Sequence, residues 1–278
     1  MKKAITILAT MAAAVASAQD ATVAAETTTA PADTSTLAAA FPQASNILDK
    51  FSASATFSYE SEYIFRGKKL AGGSIMPQVD LGYDLGSGFA LYAGTWSSFS
   101  TDGDYKEIDV YAGATYTYDF LTAEVGYIGY LYPDVDTATG GHNTNEVKAA
   151  VYIDTAKWLG QFNVSPFIAY YYDFNMKGNT LEAGLAYSAP VTKWILNQDW
   201  GKINLGAAYG WNSVEDNKYT DYHRNGYSYV MLSADAVVSI NSFCAISVGV
   251  RYAYNNDYNM YEPTANRVWF GSSFTIGF

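Results

Sequence analysis

The stretch Phe51-Ser52-Ala53-Ser54-Ala55-Thr56-Phe57-Ser58-Tyr59-Glu60 decides the fold. Apolar residues hold every odd position and small or polar residues every even one, the period-two pattern of a strand whose two faces meet unlike surroundings. The alternation recurs to the end of the chain. It places strands near 51–64, 73–84, 89–99, 106–118, 121–132, 146–154, 161–174, 179–188, 202–211, 227–239, 243–254 and 266–278. No helix-period segment of useful length separates them, so the sheet is expected to be an antiparallel meander.

The connections alternate too. Leu85-Gly86-Ser87-Gly88, Asp119-Phe120 and Ile240–Ser242 are tight, whereas Phe65–Gly72, Ser100–Tyr105, Pro133–Asn145, Asn212–Gly226 and Asn255–Ala265 are longer and polar. Long loops at one end and short turns at the other are the habit of transmembrane barrels. Two connections break the rule. Asn175–Gly178 is short where a loop is due; Ala189–Gly201 is long where a turn is due, and its Val191, Trp194, Ile195, Leu196 and Trp200 suit a segment at the membrane interface. Pro77 and Pro166 fall inside expected strands and count against a paired ladder there, since proline cannot donate to it, unless bulges absorb them.

Composition agrees with a barrel in lipid. The chain has 278 residues, 49% hydrophobic and 16% aromatic, with 25 tyrosines, yet only 15% are charged and the mean hydropathy is −0.06. A soluble domain carries about 25% charged residues, and a spanning helix needs about 20 consecutive apolar ones; the mature chain has neither. The apolar parity is bulky, with Tyr59, Tyr63, Tyr116, Tyr118, Tyr170, Tyr172, Tyr187, Tyr252 and Tyr254 near strand ends, as in the aromatic girdles of membrane barrels. The opposite parity is small, as at Gly82, Gly113, Gly126, Gly184, Gly206, Gly249, Gly271 and Ser273, which suits a concave inner face. Closure removes the strand edges that lipid forbids. The expected fold is all-β: a transmembrane antiparallel β-barrel of about 12 strands over residues 51–278, in the bacterial outer membrane.

Ahead of the barrel, Lys2 and Lys3, the apolar Ala4–Val15 and Ala16-Ser17-Ala18 form the three parts of a signal peptide over 1–18. Its removal takes the net charge from −11 to −13, since it carries two lysines and no acid. Residues 19–50, rich in Ala, Thr and Pro, read as a disordered periplasmic linker. The acidic balance argues against nucleic acid. One cysteine, Cys244, excludes an intrachain disulfide framework and a cysteine-rich zinc site, and no metal or cofactor is expected.

Two resemblances follow from particular residues. The chain end, Phe274-Thr275-Ile276-Gly277-Phe278, resembles the C-terminal signature of outer-membrane barrels, which implies recognition of Phe274, Ile276 and Phe278 by the barrel-assembly machinery. Ser61-Glu62-Tyr63-Ile64-Phe65-Arg66-Gly67, then Pro77-Gln78-Val79-Asp80-Leu81-Gly82-Tyr83, then Leu91-Tyr92-Ala93-Gly94-Thr95-Trp96 resembles the Gcw_chp family of conserved hypothetical bacterial proteins. The match is specific over about 58–97, and Lys68-Lys69 departs from the family's more usual uncharged residues. The resemblance implies an outer-membrane barrel and no particular activity.

If the apolar parity faces lipid, the other parity faces the lumen. Its acids are Glu60, Glu62, Asp80, Glu107, Asp109, Glu124, Glu146, Asp173, Glu182 and Asp235; its bases are Lys148, Arg251 and Arg267. Ten acids against three bases favour cations in any water-filled path, unless the charges pair across the lumen and plug it, as desolvation would demand in a dry interior. Arg66, Lys68 and Lys69 form a basic spot at the start of the first outer loop, able to hold an anion or the phosphates of lipopolysaccharide, or simply solvated. Asp102-Gly103-Asp104 lacks the spacing of a calcium loop. His142 and His223, the two histidines, lie in expected outer loops with no hydrolase motif nearby, so no enzyme is expected. The resulting expectation is a porin-like passive channel for small cationic or neutral solutes. The alternative is a non-conducting structural or surface-interaction barrel with a plugged lumen.

Overall fold

A computed structural model describes residues 50–133, 143–162, 164–214, 226–257 and 266–277. The expected signal peptide, nearly all of the linker, Phe278 and both histidines lie outside the described residues. Twelve strands close into one barrel: β1 (Phe51–Glu60), β4 (Ser74–Gly86), β5 (Phe89–Ser100), β6 (Lys106–Tyr118), β7 (Leu121–Leu131), β8 (Thr144–Ile153), β9 (Val164–Asp173), β10 (Gly178–Ala189), β11 (Gly201–Val214), β12 (Tyr227–Ser239), β13 (Cys244–Asn255) and β14 (Asn266–Gly277). Each pairs antiparallel with its chain neighbours, and β1 closes the ring against β14 with Phe57 opposite Phe274 and Glu60 opposite Gly271. Closure satisfies every strand edge, as a hydrocarbon surround requires.

The odd-position residues of β1 and their equivalents point outward. Phe57, Val125, Val248, Val268 and Phe270 are each at least 60% exposed, spread around the circumference. So continuous an apolar exterior is a liability in water and a requirement in lipid. Tyr59, Tyr116, Tyr118, Tyr170 and Tyr254 stand on this face, as expected.

Four expectations are corrected. The first strand does not run to residue 64: the barrel strand ends at Glu60, and the connection to β4 forms its own antiparallel pair, β2 (Tyr63–Phe65) and β3 (Lys68–Ala71). Tyr63 is accordingly buried inside and is no part of a girdle. Neither proline sits in a bulge. Pro77 falls where the β4–β5 ladder is interrupted between Ile75 and Gln78, and Pro166 lies just beyond the last β8–β9 pair, Tyr152 with Phe167. Both positions thus spare the missing N–H. Finally, the strand expected over 161–174 begins at Val164, because the connection before it holds a short helix α1 (Ala156–Leu159) and a 3₁₀ turn (Gly160–Phe162).

At the turn end, α1 is joined by α2 (Val191–Leu196) in the long connection noted from the sequence. Trp158, Leu159, Phe162, Trp194, Ile195, Leu196 and Trp200 are exposed, and Phe162 meets Trp194 at 6.2 Å between ring centroids. These amphipathic rings suit the headgroup level.

Candidate functional site

The β2–β3 hairpin is the feature that organises the lumen. Its turn is Arg66-Gly67, both with positive φ (48° and 78°), the backbone of a type I′ turn, which matches the twist of a two-stranded ribbon. Glycine is needed at 67 on a second count: a Cβ there would lie 2.6 Å from the Tyr229 Cβ. The turn is therefore pressed against the barrel wall.

The hairpin reaches both walls. Consecutive residues on β2 point opposite ways, as a strand requires. Tyr63 packs with Met76, Trp96, Tyr111, Tyr130 and Tyr171, on strands β4 to β9; Ile64 packs with Tyr227, Tyr229, Met231, Ala253 and Trp269, on β12 to β14. Polar bonds fix the ends. The Arg66 guanidinium donates to both oxygens of Glu146 on β8, at 2.7 and 2.8 Å, and lies 4.8 Å from the Tyr171 ring centroid. Lys68 pairs with Asp257 just past β13, and the Asn255 amide donates to the Gly67 carbonyl at 2.7 Å. Lys69 pairs with Glu62 at 2.7 Å.

This corrects the basic spot. Arg66 and Lys68 are neither solvated nor on an outer loop; each is buried and neutralised by a carboxylate. The sequence could not show it, because β2 and β3 are too short to display a period. Asp257, expected in an outer loop, joins the lumenal charges on the same account.

The remaining candidates sort by partner. Glu124 and Lys148 pair at 2.9 Å with no exposed side-chain surface on either, while Tyr92 and Tyr152 also donate to Glu124. Arg251 lies at ion-pair distance from Glu60 (3.2 Å) and Asp235 (2.8 Å), and Arg267 reaches Glu62 at 3.6 Å. Asp80 accepts from Tyr111 and Gln78, Glu182 from Tyr229 at 2.7 Å, and Asp173 from the amides of Asn175 and Met176. Glu107 accepts from three tyrosines, Tyr63, Tyr105 and Tyr132, at 2.9, 2.7 and 3.1 Å. The Asp109 carbonyl accepts from the Thr95 hydroxyl at 2.8 Å, but its side-chain Oδ1 has no donor among the described residues although Asp109 is only 3% exposed. Phe274 and Ile276 stand on the lipid face of β14.

Sequence reasoning missed the tyrosines as lumenal donors. Tyr92, Tyr111, Tyr130, Tyr152 and Tyr229 share the parity of the small residues on their strands, and that parity was the available signal. Their reach explains the small parity: a Cβ at Gly113 or Gly126 would fall 2.4 or 2.3 Å from the Tyr92 hydroxyl, and one at Gly210 would fall 2.1 Å from the Tyr229 ring. Glycine on one strand makes the floor on which a neighbour's ring lies.

Depth differs between the two ends. Near the turns the inner face is Ser52, Ser54, Thr56, Ser165, Ser188, Ser247 and Thr275, all partly exposed; toward the loops it is buried carboxylates, rings and the hairpin. In the connection 101–105, hydrogen bonds from the Ser100 hydroxyl and then from the Asp104 amide hold exposed Asp102 below the usual carboxylate range.

Known structures share this architecture. The COG4313 outer membrane channel from Pseudomonas putida F1 superposes with a TM-score of 0.52 at 10% identity, over 82% of this chain and 95% of that one. The NanC porin superposes with a TM-score of 0.51 at 7% identity, over 81% and 98%. At such identities the likeness is one of fold: a closed barrel of the bacterial outer membrane. No protein of curated function matches the sequence. A family model described as a bacterial protein of unknown function matches residues 46–264, most of the chain. By that match the chain, a membrane barrel, belongs to the Gcw_chp family.

Proposed function

We propose that the barrel is a passive channel for small cationic or neutral solutes, held closed by the β2–β3 hairpin in the state described. The observation that carries this is the charge of the lumen. Asp80, Glu107, Asp109, Asp173 and Glu182 have no lysine or arginine at ion-pair distance among the described residues, whereas Lys148, Arg251, Arg66 and Lys68 are each matched by a carboxylate. A lumen with surplus carboxylates attracts cations and repels anions. The partly exposed serines and threonines near the turns form the periplasmic approach. The hairpin, tied to the wall by side chains at Glu146, Glu107 and Asp257, is the element whose displacement would open the path.

Export by the 1–18 signal peptide and assembly through Phe274, Ile276 and Phe278 belong to the same proposal, with the linker left in the periplasm. The test is single-channel conductance of refolded protein in planar bilayers. Wild type is expected to open rarely and with cation preference, and Glu146→Gln, which frees Arg66, to open more often. Anion preference, or silence in both proteins, would overturn the channel.

A second reading is favoured by one observation: neither Lys148 nor Glu124 has any exposed side-chain surface, as in a packed core. On that reading the barrel is non-conducting and serves structure or surface interaction. Silence of Glu146→Gln in the same bilayers is its expected outcome.

A further inference from the structure

The geometry points to a recognition site for a small primary ammonium group at the outer mouth of the lumen, built by Asp109, Ser98 and the rings of Trp96 and Tyr130. It names a ligand class beyond the channel reading and holds whether or not the barrel conducts.

Asp109 lies on the lumenal face of β6, opposite Trp96 on β5 and Tyr130 on β7. All three are buried, at 3%, 4% and 5% exposure. Among the described residues its Oδ1 has no hydrogen-bond partner, and neither has the Oγ of Ser98, two residues from Trp96 on the same face. Glu107 stands opposite Ser98, so a second carboxylate faces the same region, but its oxygens already accept three tyrosine hydroxyls. One acid is thus fully satisfied while the Oδ1 of its neighbour has no donor among the described residues.

Burying a bare carboxylate is costly, and an uncompensated polar atom beside it adds to the cost. A protonated amine answers both. Its charge offsets Asp109, its three N–H donors serve Asp109 Oδ1 and Ser98 Oγ together, and aromatic faces attract the cation and cover its alkyl part. Asp109 is the fourth residue of β6, so the loop end is the nearer way in. Tyr105 and Tyr132, which roof Glu107, are only half-buried and in mutual edge contact at 6.2 Å. The hairpin's Tyr63, 5.4 Å from the Trp96 ring, closes the inner side.

The experiment is calorimetric titration of the refolded full barrel with methylammonium chloride in octyl glucoside micelles, which carry no ammonium group of their own. Sodium chloride at equal ionic strength and tetramethylammonium chloride are run in parallel. Saturable methylammonium binding is expected, with tetramethylammonium weaker because it has no N–H donor. Asp109→Asn is expected to weaken methylammonium by about tenfold or more, and Ser98→Ala by about threefold. Heat-modifiable gel migration checks that each variant is folded; should Asp109→Asn fail to fold, the milder Ser98→Ala decides. Absence of saturable binding, equal binding of both ammonium ions, or unchanged affinity in the folded variants would overturn the site. Flux is not measured, so a silent barrel that binds methylammonium keeps this inference and loses only the channel. A conducting barrel that does not bind does the reverse.

Discussion

Glu124 and Asp109 are lumen-facing carboxylates on neighbouring strands, both almost wholly buried, and they are held in opposite ways. Glu124, nearer the turn end, is enclosed by a lysine and two tyrosines, so every favourable contact its charge could make is made within the wall. Asp109, nearer the loop end, sits between two rings, and its Oδ1 has no donor among the described residues. The difference separates a structural carboxylate from one left available. Interior charge is retained at low cost when it is paired and hydrogen-bonded, and an unpaired charge persists only where something else offsets it.

The comparison is broken or sharpened by substitution, starting with the largest effect. Lys148→Met leaves Glu124 buried beside no cation, and unfolding in urea should show a loss of about 3–5 kcal/mol. If the loss is small, Glu124 is not held as described. Glu146→Gln removes one partner of a bidentate pair, but the hairpin can carry Arg66 to water, so a smaller loss of about 1–3 kcal/mol is expected in the same titration. Gly67→Ala forces a side chain into a positive-φ position and toward the Tyr229 Cβ, and should cost about 1–3 kcal/mol, again by urea. Asp199→Ala breaks a largely exposed pair with Lys193 at 3.0 Å beside α2, where the loss should not exceed about 0.5 kcal/mol. Asp109→Asn closes the series with no loss or a gain, because it removes a charge that no described side chain compensates. A large loss on Asp109→Asn would place Asp109 beside Glu124 as a structural acid and erase the distinction.

Much of this was legible in the sequence, for physical reasons that can be named. Alternation such as Phe51 to Glu60 carries its own face assignment, so strand number, antiparallel order and the lipid-facing set could be read directly. The lumenal acids followed from the same parity. The sites of Pro77 and Pro166 were legible too, though not the ladder gaps that accommodate them. The hairpin was not legible: three and four residues are too few to show a period, and Arg66, Lys68 and Lys69 look alike whether solvated or buried. Tyr63 was misplaced for the same reason, since the parity of β1 was carried past the point where the strand ends.

Local chemistry therefore determined the barrel. Period two with one apolar face is shared by soluble sheets, and what selects a closed sheet in lipid is its combination with tyrosines near strand ends, a small opposite parity and a charge-poor composition. What fills the lumen was decided by tertiary structure alone. Whether Tyr92 reaches Glu124 depends on glycines at 113 and 126 standing in register on two other strands. Whether Arg66 is an outer-loop charge or part of a strap across the lumen depends on Glu146, eighty residues away, facing it. Inter-strand register sets these distances. No pattern within a single strand encodes it.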